Sequence, residues 1–198
     1  MYLRINSLIP CSQSYEVVSL FGYCSAGLPG LELKGCYSRA QVLKEKMIFI
    51  TKSLGLQVPL KKFNLCLDAP SKRSISSIDL EWIELPMLLL YWSLAGHLSI
   101  KNMEYCFSFG KFRPSGEFDV PKIKEDFLVS FQKEMKELSG RDITYLLSED
   151  YRQMTNIQFI PLESILSFTK LVRKKSLSDQ KQLNQQGSYQ TLSMGVLN

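Results

Sequence analysis

Few side chains in this sequence are spaced to do chemistry, and most of those are acids and bases. Asp79, Glu81 and Glu84 fall close together. Carboxylates at such spacing can hold a cation or divide the work of general acid and base. They are also what a solvated helix N-terminus carries, because the helix dipole favours negative charge there. His97 is the one histidine and follows Gly96. A Ser-His-Asp triad or a multi-histidine metal site would rest on that single ring; bonding carbonyls at a helix end is the simpler use. Gly30-Leu-Glu-Leu-Lys-Gly35 has the glycine spacing of a phosphate loop. Cys36-Tyr37 stands where Lys and Ser/Thr are needed to reach the phosphates and Mg²⁺, so the segment reads as turns flanking a strand. Basic pairs occur at Lys61-Lys62 and Lys72-Arg73, the second in a loop with Ser71, Ser74, Ser76 and Ser77. Such a loop suits phosphate contacts and suits solvent equally. No residue set calls for a metal or a cofactor.

The elements that must position these groups follow from periodicity and breakers. Tyr15–Gly22 alternates as a strand, Gly27-Leu-Pro-Gly30 is turn chemistry, and Leu31–Lys34 is a second short strand. Ser38 and Gln41 fit a capping box for a helix carrying Val42, Leu43, Met47, Ile50 and Leu54, with Gly55 ending it. Lys62–Leu67 is the next strand, and Asp68–Asp79 a loop. Pro86 is expected in the first turn of a buried helix running through Leu94. Tyr105–Phe112 reads as one long strand, followed by a turn at Arg113–Gly116. A helix from about Lys122 to Leu138 turns Ile123, Phe127, Phe131, Met135 and Leu138 to one side. Ile143–Leu147 and Asn156–Ile160 are strands, and Pro161 opens a last helix. Strands and helices alternate without a strict βαβ rhythm, which points to α+β or α/β with one mixed sheet.

The 198 residues, 45% hydrophobic and 22% charged, suit one domain. The longest apolar stretch, Leu85 to Gly96, is far short of the roughly 20 residues of a spanning helix. The opening residues lack the pattern of a signal peptide. Five cysteines (Cys11, Cys24, Cys36, Cys66, Cys106) without C-x-x-C spacing read as reduced structural thiols. A cytoplasmic protein without a membrane partner is the expectation. The net charge is +5, but Arg173, Lys174, Lys175 and Lys181 stand against Asp179 alone, so over half of it lies at the end of the chain. Residues 1–173 are therefore expected to fold, and 174–198, rich in Gln and Ser, to form a polar tail.

The order of these pieces resembles a known family. Glu16-Val-Val-Ser-Leu, then Ser25-Ala-Gly-Leu-Pro-Gly-Leu-Glu-Leu-Lys-Gly35, then Ser53-Leu-Gly-Leu and Val58-Pro look like the opening of magnesium-chelatase-type ATPases of the ComM competence-helicase branch. Phe63-Asn-Leu-Cys-Leu-Asp-Ala-Pro70, Ile83-Glu-Leu-Pro-Met-Leu-Leu with Leu94-Ala-Gly96, and Gly110-Lys111 with Ser115-Gly-Glu117 resemble later motifs of its N-terminal domain, in the same order. The resemblance spans about residues 12–173. It implies an α+β fold of the ribosomal protein S5 domain 2 type, shared with Lon's proteolytic domain, in which helices pack on a mixed sheet. It also implies a module without its own AAA+ motor. The loop before the buried helix, Ser71–Glu81, is longer than the family's and lacks its glycine, and Glu84 replaces its aspartate.

Lon-type proteases use a Ser–Lys dyad. Counting back from Leu94-Ala-Gly96, Glu81 falls at the nucleophile's place, and Lys124 falls near the base's. Lys124 is then the vestige of a dyad, and no enzyme activity is expected. What the resemblance implies instead is DNA binding or ring assembly, with Lys61, Lys62, Lys72 and Arg73 neutralising phosphates. The alternatives are a scaffold that self-associates or docks on a separately encoded AAA+ ATPase, and a remnant peptidase with a serine near Lys124.

Overall fold

The computed structural model describes residues 2–11, 14–36, 39–68, 76–100, 102–147, 151, 156–162 and 164. Lys72, Arg73, Ser38 and the 174–198 segment lie outside the described residues. The strands are β1 Tyr2–Cys11, β2 Ser14–Ser25, β3 Gly30–Lys34, β4 Lys62–Asp68, β5 Cys106–Phe107, β6 Lys111–Phe112, β7 Phe118–Asp119, β8 Thr144–Leu147 and β9 Phe159–Pro161. The helices are α1 Ala40–Ser53, α2 Ser77–Leu94 and α3 Glu125–Ser139. Seven strands form one mixed sheet in the order β3-β4-β2-β1-β5-β8-β9, and β6 and β7 form a separate hairpin. The class is thus α+β, with three helices among the described residues on a mixed sheet. No described helix is long and apolar enough to cross a membrane.

Strand parity divides the core in two. Ile5 and Ile9 of β1, Val18 and Leu20 of β2, Cys106 of β5 and Leu146 of β8 join one cluster, which includes α1 and α2 residues. Leu8, Val17, Phe107, Tyr145 and Leu147, from the alternate positions, join the other, which includes Leu128, Phe127 and Phe131 of α3. Successive side chains of a strand face opposite ways. α1 and α2 therefore cover one face of the sheet, and α3 covers part of the other.

β1 is the strand that the spacing does not predict. Asn6 and Ser7 interrupt its apolar alternation, yet both are buried. Each is satisfied locally: Asn6 Nδ2 donates to the Glu104 carbonyl at 2.8 Å, and Ser7 Oγ donates to the Trp82 carbonyl at 3.3 Å. At α1 the N-cap is Arg39, with no side-chain cap bond, while Gln41 Nε2 donates to Glu45 at 2.6 Å. Val42 is exposed; Leu43, Met47, Ile50 and Thr51 are the buried face. Gly55, at φ 73, takes the left-handed conformation just past the helix end.

α2 starts nine residues before Pro86, at Ser77, so this proline sits inside the helix. Its missing N–H leaves the Trp82 carbonyl free of its usual helical donor. That carbonyl accepts from Gly110 N–H at 2.8 Å, and Leu85 N–H donates to the Gly110 carbonyl at 2.9 Å. Gly110 (φ 120) thereby docks against the helix, and a Cβ there would lie 2.7 Å from the Asp119 carbonyl oxygen. This contact corrects the expected long strand at 105–112: a 3-10 turn at Met103–Tyr105, then β5, a break at Gly110, then β6. The Asn156–Ile160 strand likewise shifts to Phe159–Pro161. Leu162 and Ser164 are helical, and the rest of the expected last helix is outside the described residues.

Candidate nucleic-acid interface

Among the described residues, α3 covers only part of the face opposite α1 and α2. On its β3-β4-β2-β1 half, the pairing register sets side chains in rows. One row runs Lys34, Cys66, Phe21, Arg4; the next runs Glu32, Asn64, Tyr23, Tyr2; Lys62 and Ser25 pair beyond it. With neighbouring strands about 4.8 Å apart, a row spans roughly 14 Å. Tyr2 is 61% exposed, Arg4, Lys34 and Glu32 are exposed, and Phe21, Tyr23 and Lys62 are half-buried. Phe21, Tyr23 and Tyr2 belong to neither core cluster. Tyr2 and Phe21 rings touch at 6.1 Å between centroids.

Polar bonds fix this surface. Arg4 donates to Ser19 Oγ at 2.6 Å, and Ser19 Oγ donates to Asn6 Oδ1 at 2.9 Å. Asn64 Nδ2 donates to Ser25 Oγ at 3.0 Å. Lys62 Nζ stands 2.8 Å from Glu32, and its hydrogen bond holds that carboxyl below the usual carboxylate range, with Lys34 and Lys44 adding to the pull. Asp68, opposite Ser19, is a second carboxylate at the edge of the rows. Gly22, between Phe21 and Tyr23, faces the core side. A Cβ there would meet Leu65 at 2.6 Å and Leu94 at 2.7 Å, so α2 seats closely behind the two rings.

Of the basic residues expected to bind DNA, Lys62 lies on this face. Lys61 is exposed beside it, and its carbonyl accepts from Gly30 N–H. Arg4, Lys34, Phe21, Tyr23 and Tyr2 are the residues that sequence reasoning missed. A signal existed in β2, where apolar Leu20 and Phe21 are adjacent and must face opposite ways.

The three carboxylates near α2 have separate duties. Asp79 closes a capping box: its Oδ2 accepts from Ser76 N–H at 2.8 Å, and its own N–H donates to Ser76 Oγ at 3.2 Å. Glu84 is bonded to Lys46. Glu81 lies 3.0 Å from Lys111 and 3.9 Å from Arg39, and Lys111 also lies 3.7 Å from Asp119. The Glu81 hydrogen bond and charge raise the Lys111 pKa. A shallow groove of about 280 Å³ beside them is lined by Arg39, Val42, Leu43, Leu80 and Glu84. Lys124 is the exposed N-cap residue of α3 and makes no ion pair with Glu81. The two counted dyad positions are thus not joined; Glu81 is engaged with Lys111 through the Gly110 contact.

His97 Nε2 lies 2.7 Å from the Gln57 carbonyl, tying the loop after α1 to the end of α2. Gly30–Gly35 is strand β3 and its flank. All five cysteines are free thiols. Among the described residues, no three His, Cys, Asp or Glu side chains are grouped to hold a metal ion. No protein-family model matches the chain, and no curated protein matches it.

Proposed function

We propose that this chain is a non-catalytic module that binds DNA, as the resemblance to the ComM-type N-terminal domain implies. The observation that supports this reading is the sheet face that the described residues leave uncovered, carrying Arg4, Lys34 and Lys62, with Lys61 at its margin. Cations on a flat surface neutralise phosphates, and the counterions they displace make affinity fall steeply with salt. Fluorescence anisotropy of labelled DNA across a salt series tests it on the full chain. The expected result is micromolar or tighter binding at low salt, with a log-linear salt dependence. The Arg4→Ala/Lys34→Ala variant should bind more weakly and lower the slope by about one to two. A Lys72→Ala/Arg73→Ala variant measures what the Asp68–Asp79 segment adds. Binding unaltered by Arg4→Ala/Lys34→Ala would overturn the assignment of this face.

A second reading, a scaffold that docks on a separately encoded AAA+ ATPase, has its own observation. Leu28 and Leu60 are 88% and 87% exposed. They flank the edge strand β3 and a groove of about 130 Å³ lined by Pro29, Leu31, Val58, Pro59, Phe63 and Tyr91. Large exposed apolar side chains beside an unpaired strand edge favour protein contact.

A further inference from the structure

We infer that the open sheet face takes a single-stranded polynucleotide and stacks its bases on Phe21, Tyr23 and Tyr2. The inference rests on the nucleic-acid reading and names the form of ligand. Charge alone would serve a duplex as well as a single strand; the aromatic rings separate the two. In a duplex the base faces are stacked on each other and only groove edges and phosphates are presented. Unpaired bases offer their π-faces, and aromatic side chains beside cations bind them with little regard for sequence.

The following observations carry this. The rings sit outside both cores, so packing does not account for them. They are adjacent across β1 and β2: Tyr2 opposite Tyr23, and Phe21 opposite Arg4. Cations flank them, Arg4 on one side and Lys34 on the other, with Lys62 beside Lys34 but paired to Glu32, which offsets its charge. The platform behind is rigid, because Gly22 lets Leu65 and Leu94 close on β2 from the opposite face. Ser25, which accepts from the buried Asn64 amide, is exposed beside Lys62 and offers its hydroxyl to a base edge.

The test is anisotropy of the full chain with labelled oligo-dT, oligo-rU and a duplex of equal length, in a salt series. Tight binding of dT or rU, at least tenfold over the duplex, is expected; the dT and rU arms show which sugar is preferred. Tyr2→Ala should lower single-strand affinity about tenfold and leave the duplex affinity and salt slope unchanged. Tyr23→Leu should do the same. Tyr2 is exposed, so Tyr2→Ala keeps its fold and reports even where Tyr23→Leu does not. A duplex bound as tightly as the single strands, or single-strand binding indifferent to Tyr2→Ala, overturns the inference and leaves DNA binding standing. Absence of binding to every probe at the lowest salt overturns both.

Discussion

Burial changes what a side chain does more than its type does, and the cysteines show this. The Cys36 and Cys106 thiols are both pushed up to about 11 by burial. A thiol whose folded pKa is raised favours the protonated form, so its contribution to stability is complete below the unfolded value near 9. That contribution is lost as pH rises towards 11. Stability should therefore decline above pH 9, by on the order of 2 kcal/mol for each thiol. Thermal melts at pH 8, 9 and 10.5 read the decline, and a Cys36→Ala/Cys106→Ala variant should show its onset at higher pH, where buried tyrosines take over. An unchanged onset would count against the thiols. The same scale explains which site residues were legible. Lys61-Lys62 stands out as a basic pair, and β4 brings Lys62 to the open face. Arg4 and Tyr23 carry no such local mark, and Phe21 has only its place beside Leu20. Their placement comes from the pairing of β1, β2 and β4, and a one-residue slip would bury them.

Elements were legible where apolar residues run at a regular spacing or between clear breakers. α3 has an apolar stripe, β2 to β4 and β8 have strand composition between breakers, and each falls near its expected place. β1 and the 105–112 region were not, for two different reasons. The Ile5–Ile9 part of β1 is covered on both faces and uses hydrogen bonds to keep Asn6 and Ser7 inside, so alternation is lost. The 105–112 segment is divided by a tertiary contact: Pro86 frees a helical carbonyl, and Gly110 takes it. That contact sets Lys111 beside Glu81 and starts the hairpin. Gly110→Ala should therefore cost more than Gly116→Ala. Both have positive φ, but a Cβ at 110 meets the Asp119 carbonyl at 2.7 Å, and at 116 it meets open space. The expected losses in urea denaturation are about 2–4 kcal/mol for the first and about 1 kcal/mol for the second. Equal losses would show that Gly110 is needed for its conformation alone and not for close approach.

At the scale of the whole molecule, the described residues build a seven-stranded sheet with a core on each side, and this decides how it unfolds. β1, β2, β5 and β8 each give alternate residues to the two clusters. Trp82, in the first half of α2, packs against both, touching Tyr15 at 5.6 Å and Phe109 at 5.8 Å between ring centroids. Neither layer can lose its packing while the strands keep their pairing, because the same strands wall both. A single cooperative transition follows, whichever side is weakened. Leu90 and Leu128 are both fully buried, one in each cluster. Leu90→Ala and Leu128→Ala should each cost about 2–5 kcal/mol, the range for a cavity at a buried leucine. In both variants, far-UV circular dichroism and tryptophan fluorescence should lose signal at the same midpoint. A Leu128→Ala variant whose fluorescence and circular dichroism separate would mean that α3 and its strands form an independent layer. The sheet face proposed to bind single strands would then be bordered by a part of the molecule that can leave it, and the fixed platform that the stacking proposal requires would be lost.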